Sequence, residues 1–255
     1  MIRTVKTLAA AALAATLFTG SANAAGGGVD IPSQSWSFDG VFGTFDRASA
    51  QRGLQVYRDV CAGCHGLRLV AYRNLGDLGF DEAEIKTIAA EYEVQDGPND
   101  EGEMFARPAK PSDRFVSPFP NDNAARAGNN GALPPDLSLM VKARPNGANY
   151  VYALMTGYTD APAGVEVADG MNYNAYFPGH QIAMAAPLFA DGVEYGDGTA
   201  ATVEQQARDV TTFLAWASEP ELEERKRMGV MVMIFLAIFT ILLFLSKRKI
   251  WARLH

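Results

Sequence analysis

At 255 residues, the chain is long enough for one domain of ordinary size, a sizeable core and extra segments. Its formal net charge of −7 hides an uneven distribution. All 29 acidic residues but only 13 of the 22 basic ones fall in residues 25–224, which leaves that stretch at −16, a field that repels nucleic acid and attracts basic proteins.

The N-terminus reads as an export signal over residues 1–24. Arg3 and Lys6 make a basic start, residues 8–18 an apolar run, and Ala22-Asn23-Ala24 a small-residue cleavage site, so the mature chain begins near Ala25. After a glycine-rich tail comes Trp36-Ser-Phe38-Asp-Gly40-Val-Phe42-Gly43-Thr-Phe45. That density of aromatics and glycines predicts a loop that packs on a core.

Residues 46–60 predict a helix, with Gly53, Val56, Tyr57 and Val60 on one stripe; a glycine in mid-helix points to close approach of a second helix. It leads into Cys61-Ala62-Gly63-Cys64-His65. On a helical turn, positions i, i+3 and i+4 share a face. Two thiols at that spacing can add to the two vinyl groups of a haem, and the adjacent imidazole becomes the proximal iron ligand. A redox dithiol does not need the following histidine. A four-ligand zinc site lacks partners, because the other histidines are only His180 and His255.

Asp81 with Glu84 caps a helix over 81–92. From 91 to 135 the periodicity dissolves into acids (Glu91, Glu93, Asp96, Asp100, Glu101, Glu103) and prolines, which reads as one long loop. A short helix is expected at 136–143, another at 147–156 stopping at Gly157, and little regular structure over 158–200. Thr202 with Gln205 caps a helix striped by Val203, Ala207, Val210, Phe213, Leu214 and Ala217, and Ser218 with Glu221 offers a second capping box.

Residues 228–245 carry no charge and span about 27 Å as a helix, close to a hydrocarbon core of about 30 Å. Lys247, Arg248, Lys249 and Arg253 follow, favouring a cytoplasmic tail within an anchor segment at 225–255. The absence of an internal repeat implies one haem.

A haem iron held by one histidine needs a sixth ligand or an open site. Met104, Met140, Met155, Met171, Met184 and His180 are available. Met104 lies among acids, and Met140 and Met155 on helical stripes. Met184 lies in an uncharged, proline-flanked loop before a packed helix and leads, with His180 second.

Taken in order, these residues resemble the cytochrome c1 family. The resemblance runs from Trp36 to the C-terminus through Arg52-Gly53-x-x-Val56-Tyr57, the Cys61–His65 motif, Tyr72-Arg73-x-Leu75 and Pro134-Pro135-Asp136-Leu137-Ser138. It continues through Lys142-Ala143-Arg144, Tyr150-x-x-x-Leu154-x-Thr156-Gly157-Tyr158, Tyr173-Asn174-x-Tyr176-Phe177-Pro178-Gly179, Ile182-Ala183-Met184 and Glu219-Pro220-Glu221. It implies a mainly α, cytochrome c-like haem domain with long loops and one C-terminal transmembrane helix. It also implies covalent haem c on Cys61 and Cys64, iron held by His65 and Met184, a propionate paired with Arg144, and Pro134, Pro135 and Tyr150 at the haem border. The implied role is an electron-transfer subunit of a dimeric bc1 complex in a bacterial inner membrane, with its haem domain in the periplasm beside cytochrome b. It would take electrons from a Rieske iron–sulfur protein and pass them to a basic c-type cytochrome, with no substrate chemistry of its own. A membrane-anchored c-type cytochrome serving a terminal oxidase is the alternative. Some bacterial relatives brace the loop before the methionine ligand with a disulfide, for which this chain has no cysteines left.

Overall fold

The structure, a computed structural model, describes residues 28–252, so the expected export signal and the final three residues lie outside it. The described chain is mainly helical. In order it forms α1 (Arg47–Val56), a π-helical turn (Tyr57–Cys61), a 3-10 helix (Tyr72–Leu78) and α2 (Glu82–Ala90). Then come β1 (Glu93–Asp96), β2 (Phe105–Pro108), α3 (Asp122–Gly128), α4 (Gly147–Thr156), β3 (Asn172–Tyr173), β4 (Gln181–Ile182), α5 (Val203–Ser218) and α6 (Leu222–Trp251).

Helix α1 starts where the Asp46 carboxylate accepts the Ser49 backbone N–H. It lies directly against α5. A Cβ built on Gly53 would stand 2.0 Å from the Asp209 carbonyl oxygen and 2.7 Å from Phe213 Cβ, so only glycine allows the two backbones to meet here. The contact also buries charge. The fully buried Asp209 accepts hydrogen bonds from Ser49 Oγ (2.7 Å) and Arg52 Nε (2.9 Å). Arg52 also reaches Asp197 at 2.8 Å. A buried carboxylate is tolerable only when paired and hydrogen-bonded in this way.

An aromatic chain runs through the core. Tyr72 stacks on Phe115 at 4.4 Å between centroids, Phe115 meets Tyr57 at 6.0 Å, and Tyr57 meets Phe213 at 5.7 Å. It ties the 3-10 helix, the π turn and α5 together just ahead of Cys61. The 36–45 loop packs as expected, with Trp36 and Phe45 buried. The Trp36 indole N–H donates to Asn149 Oδ1 at 2.8 Å.

Several expectations need correction. The stretch 91–135 is not one loop. β1 and β2 pair antiparallel from Glu93↔Pro108 to Asp96↔Phe105, and α3 follows. Alternation was masked there because both faces of this two-stranded ribbon are largely solvated. Residues 136–143 form turns rather than a helix, because Asp136 and Ser138 spend their side chains on the backbone of 68–69 and 138. The second capping box does not form: Ser218 Oγ donates back to the Ala215 carbonyl, and α6 has no side-chain cap at Glu221. α5 buries more than its stripe, with Gln206, Thr211 and Thr212 buried as well, because α1, α4 and the 189–201 segment enclose it.

α6 is 30 residues long, has no buried residue and contains an 18-residue stretch of mean hydropathy 2.9, so it is long and apolar enough to cross a membrane.

Candidate haem-binding site

The π turn delivers the cysteine motif. The Ala62 amide donates to the Tyr57 carbonyl five residues back at 2.7 Å, one residue more than an α-turn. The motif then closes on Cys61, whose carbonyl accepts the amides of Cys64 at 3.1 Å and His65 at 2.9 Å. Cys61, Cys64 and His65 therefore occupy one helical turn, the arrangement their spacing requires. Buried Tyr57 ties the turn off, its hydroxyl donating to the His65 carbonyl at 3.2 Å.

The segment after Pro134 clasps the same turn. His65 Nδ1 lies 2.7 Å from the Pro135 carbonyl oxygen. A carbonyl only accepts, so Nδ1 carries the proton and the lone pair is left on Nε2. The Leu137 amide donates to the Gly66 carbonyl at 2.8 Å, and Asp136 Oδ2 accepts the Arg68 amide at 2.9 Å. Ser138 Oγ accepts the Leu69 amide at 3.0 Å. Burial lowers the His65 pKa against the opposing pull of the Pro135 carbonyl and the Asp136 charge, which favours the neutral ring. Burial likewise pushes the Cys61 thiol up to about 12, with Cys64 adding to the effect. A thioether is neutral too, so covalent attachment introduces no buried charge at this position.

A second cluster forms around α4. Tyr150 is buried, and burial raises its pKa while the adjacent Arg144 guanidinium pulls it down. Burial also raises the Tyr158 pKa, with neighbouring Tyr150 adding to the shift. The Tyr158 hydroxyl donates to the Met184 carbonyl at 3.1 Å. Arg144 and Tyr150 therefore influence each other electrostatically, as do Tyr150 and Tyr158, and the Tyr158 hydroxyl reaches Met184. Residues 134–147 connect this group to the His65–Pro135 clasp. Pro134 sits half-buried at the start of that connection.

Sequence reasoning left open what holds the 158–183 loop without a disulfide. Asn174 holds it. Fully buried, its Nδ2 donates to the Leu154 carbonyl at 2.8 Å, and its Oδ1 accepts the amides of Tyr176 (3.0 Å) and Phe177 (3.2 Å). β3 and β4 close the loop just beyond, pairing Asn172 with Ile182 two residues before Met184. The signal for Asn174 was its place as an amide inside an uncharged, aromatic segment. The roles of Tyr57, Asp136, Ser138 and Tyr158 were also missed, because each acts on backbone groups that no periodicity marks, eight residues away for Tyr57 and 26 or more for the others. His180, the second candidate for the sixth position, belongs to the turn between β3 and β4. Its ring stacks on Tyr173 at 5.7 Å, and Nδ1 lies 3.4 Å from the Asn174 carbonyl oxygen.

The donor set fits a c-type haem: two thiols and a neutral imidazole with Nε2 free on one turn, and a thioether side chain in a separately braced loop. The model of the cytochrome C1 family matches residues 36–254. A potato (Solanum tuberosum) protein named cytochrome c1-2, heme protein, mitochondrial, is 53% identical over 92% of this chain and 88% of its own length. Cytochrome c1 of Rhodospirillum rubrum is 50% identical over 91% of each chain. A protein named cytochrome b/c1 from Bradyrhizobium diazoefficiens is 47% identical over 99% of this chain, which spans 41% of that relative. With a match that covers nearly all of the described residues, the chain belongs to the cytochrome c1 family.

Proposed function

We propose that this chain is the electron-carrying subunit of a bc1 complex, taking one electron from a Rieske iron–sulfur protein and passing it through one covalent haem c to a basic c-type cytochrome. The observation that carries the reading is the engaged Nδ1 of neutral His65 on the same turn as Cys61 and Cys64. When bound, the haem supplies the one-electron couple, and the chain supplies ligands, dielectric and docking surfaces. Cys61 and Cys64 form the thioethers. His65 Nε2 and Met184 sulfur would hold the iron, and a methionine thioether would favour the reduced state and exclude other ligands. Arg144 offers a planar, charge-assisted fork to a propionate. Pro134, Pro135 and Tyr150 line the border and limit water.

Residues 1–24 direct export, 25–224 form the periplasmic haem domain, and 225–255 form the anchor in a bacterial inner membrane, with its span at 228–245 and a short cytoplasmic tail. Cytochrome b is the neighbour in a dimeric complex. The relative named cytochrome b/c1, in which the similar segment is 41% of the length, supports that neighbour. The chain alone performs no substrate chemistry. A tethered cytochrome serving a terminal oxidase would share the haem motif and the anchor, but a family match spanning 36–254 favours the bc1 role.

The test is extraction followed by purification. One haem should stay with the polypeptide through acid–acetone, with the reduced α-band of two thioethers, and b-type haems should accompany the tagged chain in mild detergent. A freely extracted haem overturns the attachment, and a c haem purified without b haems overturns the complex.

A further inference from the structure

The loop before α1 carries at its tip two apolar side chains that none of the described residues covers: Val41 is 61% exposed and Phe42 85%. The loop itself is tightly closed. The Thr44 amide donates to the Ser37 carbonyl at 3.0 Å and the Asp39 amide to the Trp36 carbonyl at 3.1 Å. A Cβ on Gly43 would stand 2.0 Å from the Asp39 carbonyl oxygen. Phe38 is held between Trp36 and Phe45, at centroid distances of 5.5 and 5.2 Å. Such a loop presents its tip in a fixed position rather than collapsing it onto the core.

Contacts with α6 fix where that tip lies along the helix. Glu223 takes the Phe45 amide at 2.8 Å and both Arg47 Nη atoms at 2.8 and 2.9 Å. One turn further along, the Lys226 ammonium donates to the carbonyls of Phe38 (2.7 Å) and Gly43 (3.1 Å). From Arg47 to Phe45 to Gly43 the chain therefore descends along α6, from the level of Glu223 to that of Lys226, about 4.5 Å at 1.5 Å per residue. The next residues are Phe42 and Val41. Lys226, which holds Gly43 directly ahead of them, lies two residues before Met228, where the uncharged run begins. Arg225, Lys226 and Arg227 mark the headgroup level at this end of the span.

We infer that Val41 and Phe42 form an interfacial wedge that enters the bilayer beside the anchor helix and fixes the height and tilt of the haem domain over the membrane. The inference rests on the reading that α6 spans the bilayer. A single transmembrane helix leaves its domain free to tilt and rotate; a second, offset point of lipid contact, clamped to the helix through Lys226 and Glu223, removes that freedom. Aromatic and aliphatic side chains exposed next to basic residues are the composition of such contacts.

The experiment uses the haem-loaded chain in its purified complex, reconstituted into phosphatidylcholine–phosphatidylglycerol vesicles. With Cys61 and Cys64 consumed as thioethers, a thiol introduced by Phe42→Cys is the one free thiol of this chain and takes an environment-sensitive fluorophore, the labelled wild-type complex giving the background from other subunits; a substitution at an exposed tip leaves the fold intact. Met104→Cys on the loop between β1 and β2 and Leu236→Cys within the span are the references. A label at 42 should be quenched several-fold more by a shallow lipid-borne nitroxide, and several-fold less by iodide, than the label at 104. If 42 behaves like 104 while 236 reports lipid, the wedge is wrong and the anchor stands. If 42 is shielded from both quenchers, a protein neighbour covers it and the lipid assignment is overturned. If iodide reaches 236 as well, the spanning reading fails and takes the wedge with it.

Discussion

The Tyr158 hydroxyl donates to the backbone carbonyl of Met184, 26 residues further along the chain, at 3.1 Å. This bond joins the residue after the end of α4 to the residue proposed for the sixth iron position, so the loop that would present the sulfur is held at that residue. Tyr158→Phe keeps the ring and removes the bond, at a cost of about 1 kcal/mol, which raises the population with the sulfur withdrawn about fivefold. Carbon monoxide binding to the reduced protein reads that population. Wild-type resistance to the gas in Tyr158→Phe would mean that the bond does not steady the ligand.

The ligand itself is tested by a pair of substitutions. Met184→Leu should lower the reduction potential and admit carbon monoxide, because the thioether favours reduced iron. His180→Ala should leave both unchanged, since His180 is already engaged with Tyr173 and Asn174. The opposite pattern would transfer the sixth position to His180.

Asn174 provides for this chain what a disulfide provides elsewhere. Asn174→Ala strands the Leu154 carbonyl and the amides of Tyr176 and Phe177 in a buried place, which should cost about 3 kcal/mol and lower the midpoint of denaturation. Asn174→Asp keeps the acceptor and, at a pH where its carboxyl is protonated, can offer its O–H to the Leu154 carbonyl, so it should there fall between wild type and Asn174→Ala. Equal stability of all three would assign the bracing to the β3–β4 pairing alone.

Gly53 shows what the sequence made legible. A glycine interrupting an apolar stripe has few physical reasons to be there, and the close approach of a second helix is the one found. Local signals of that kind (the caps at Asp81 and Thr202, stripes, the Cys61–His65 spacing, the uncharged run of α6) depend on neighbours within a turn or two, and they were readable, whereas the capping box expected at Ser218 did not form. The clasp of Asp136 and Ser138 on residues 68–69, and the bond from Tyr158 to Met184, link positions far apart in the chain. No periodicity encodes them. The expected helix at 136–143 failed for that reason, its capping-type side chains being engaged elsewhere. Gly53→Ala should overpack the α1–α5 contact, with a loss of about 3 kcal/mol read as a lower denaturation midpoint. A neutral result would mean that the helices separate without cost.

The last expectation concerns docking, and the hairpin changes how it must be tested. The acidic run lies on and around β1–β2, where Glu91 is paired with Arg58 and Asp96 with Arg107, which also holds Asp113 at 2.6 Å. The Arg107 guanidinium holds the Asp96 carboxyl below its usual range, with the Gly97 amide assisting. Removing those two acids would break ion pairs that shape the ribbon, confusing a structural effect with an electrostatic one. Glu93, Asp100, Glu101 and Glu103 are exposed and project the field. Exposed charges are screened beyond about 10 Å at 0.1 M salt, and steering acts on the association rate more than on final affinity. Electron transfer to a basic cytochrome should therefore slow as ionic strength rises. Changing Glu93 and the Glu101–Glu103 pair to Gln, and Asp100 to Asn, should flatten that dependence in stopped-flow measurements while leaving the ribbon folded. A salt slope unchanged by those substitutions would place the docking face on another acidic surface of the domain.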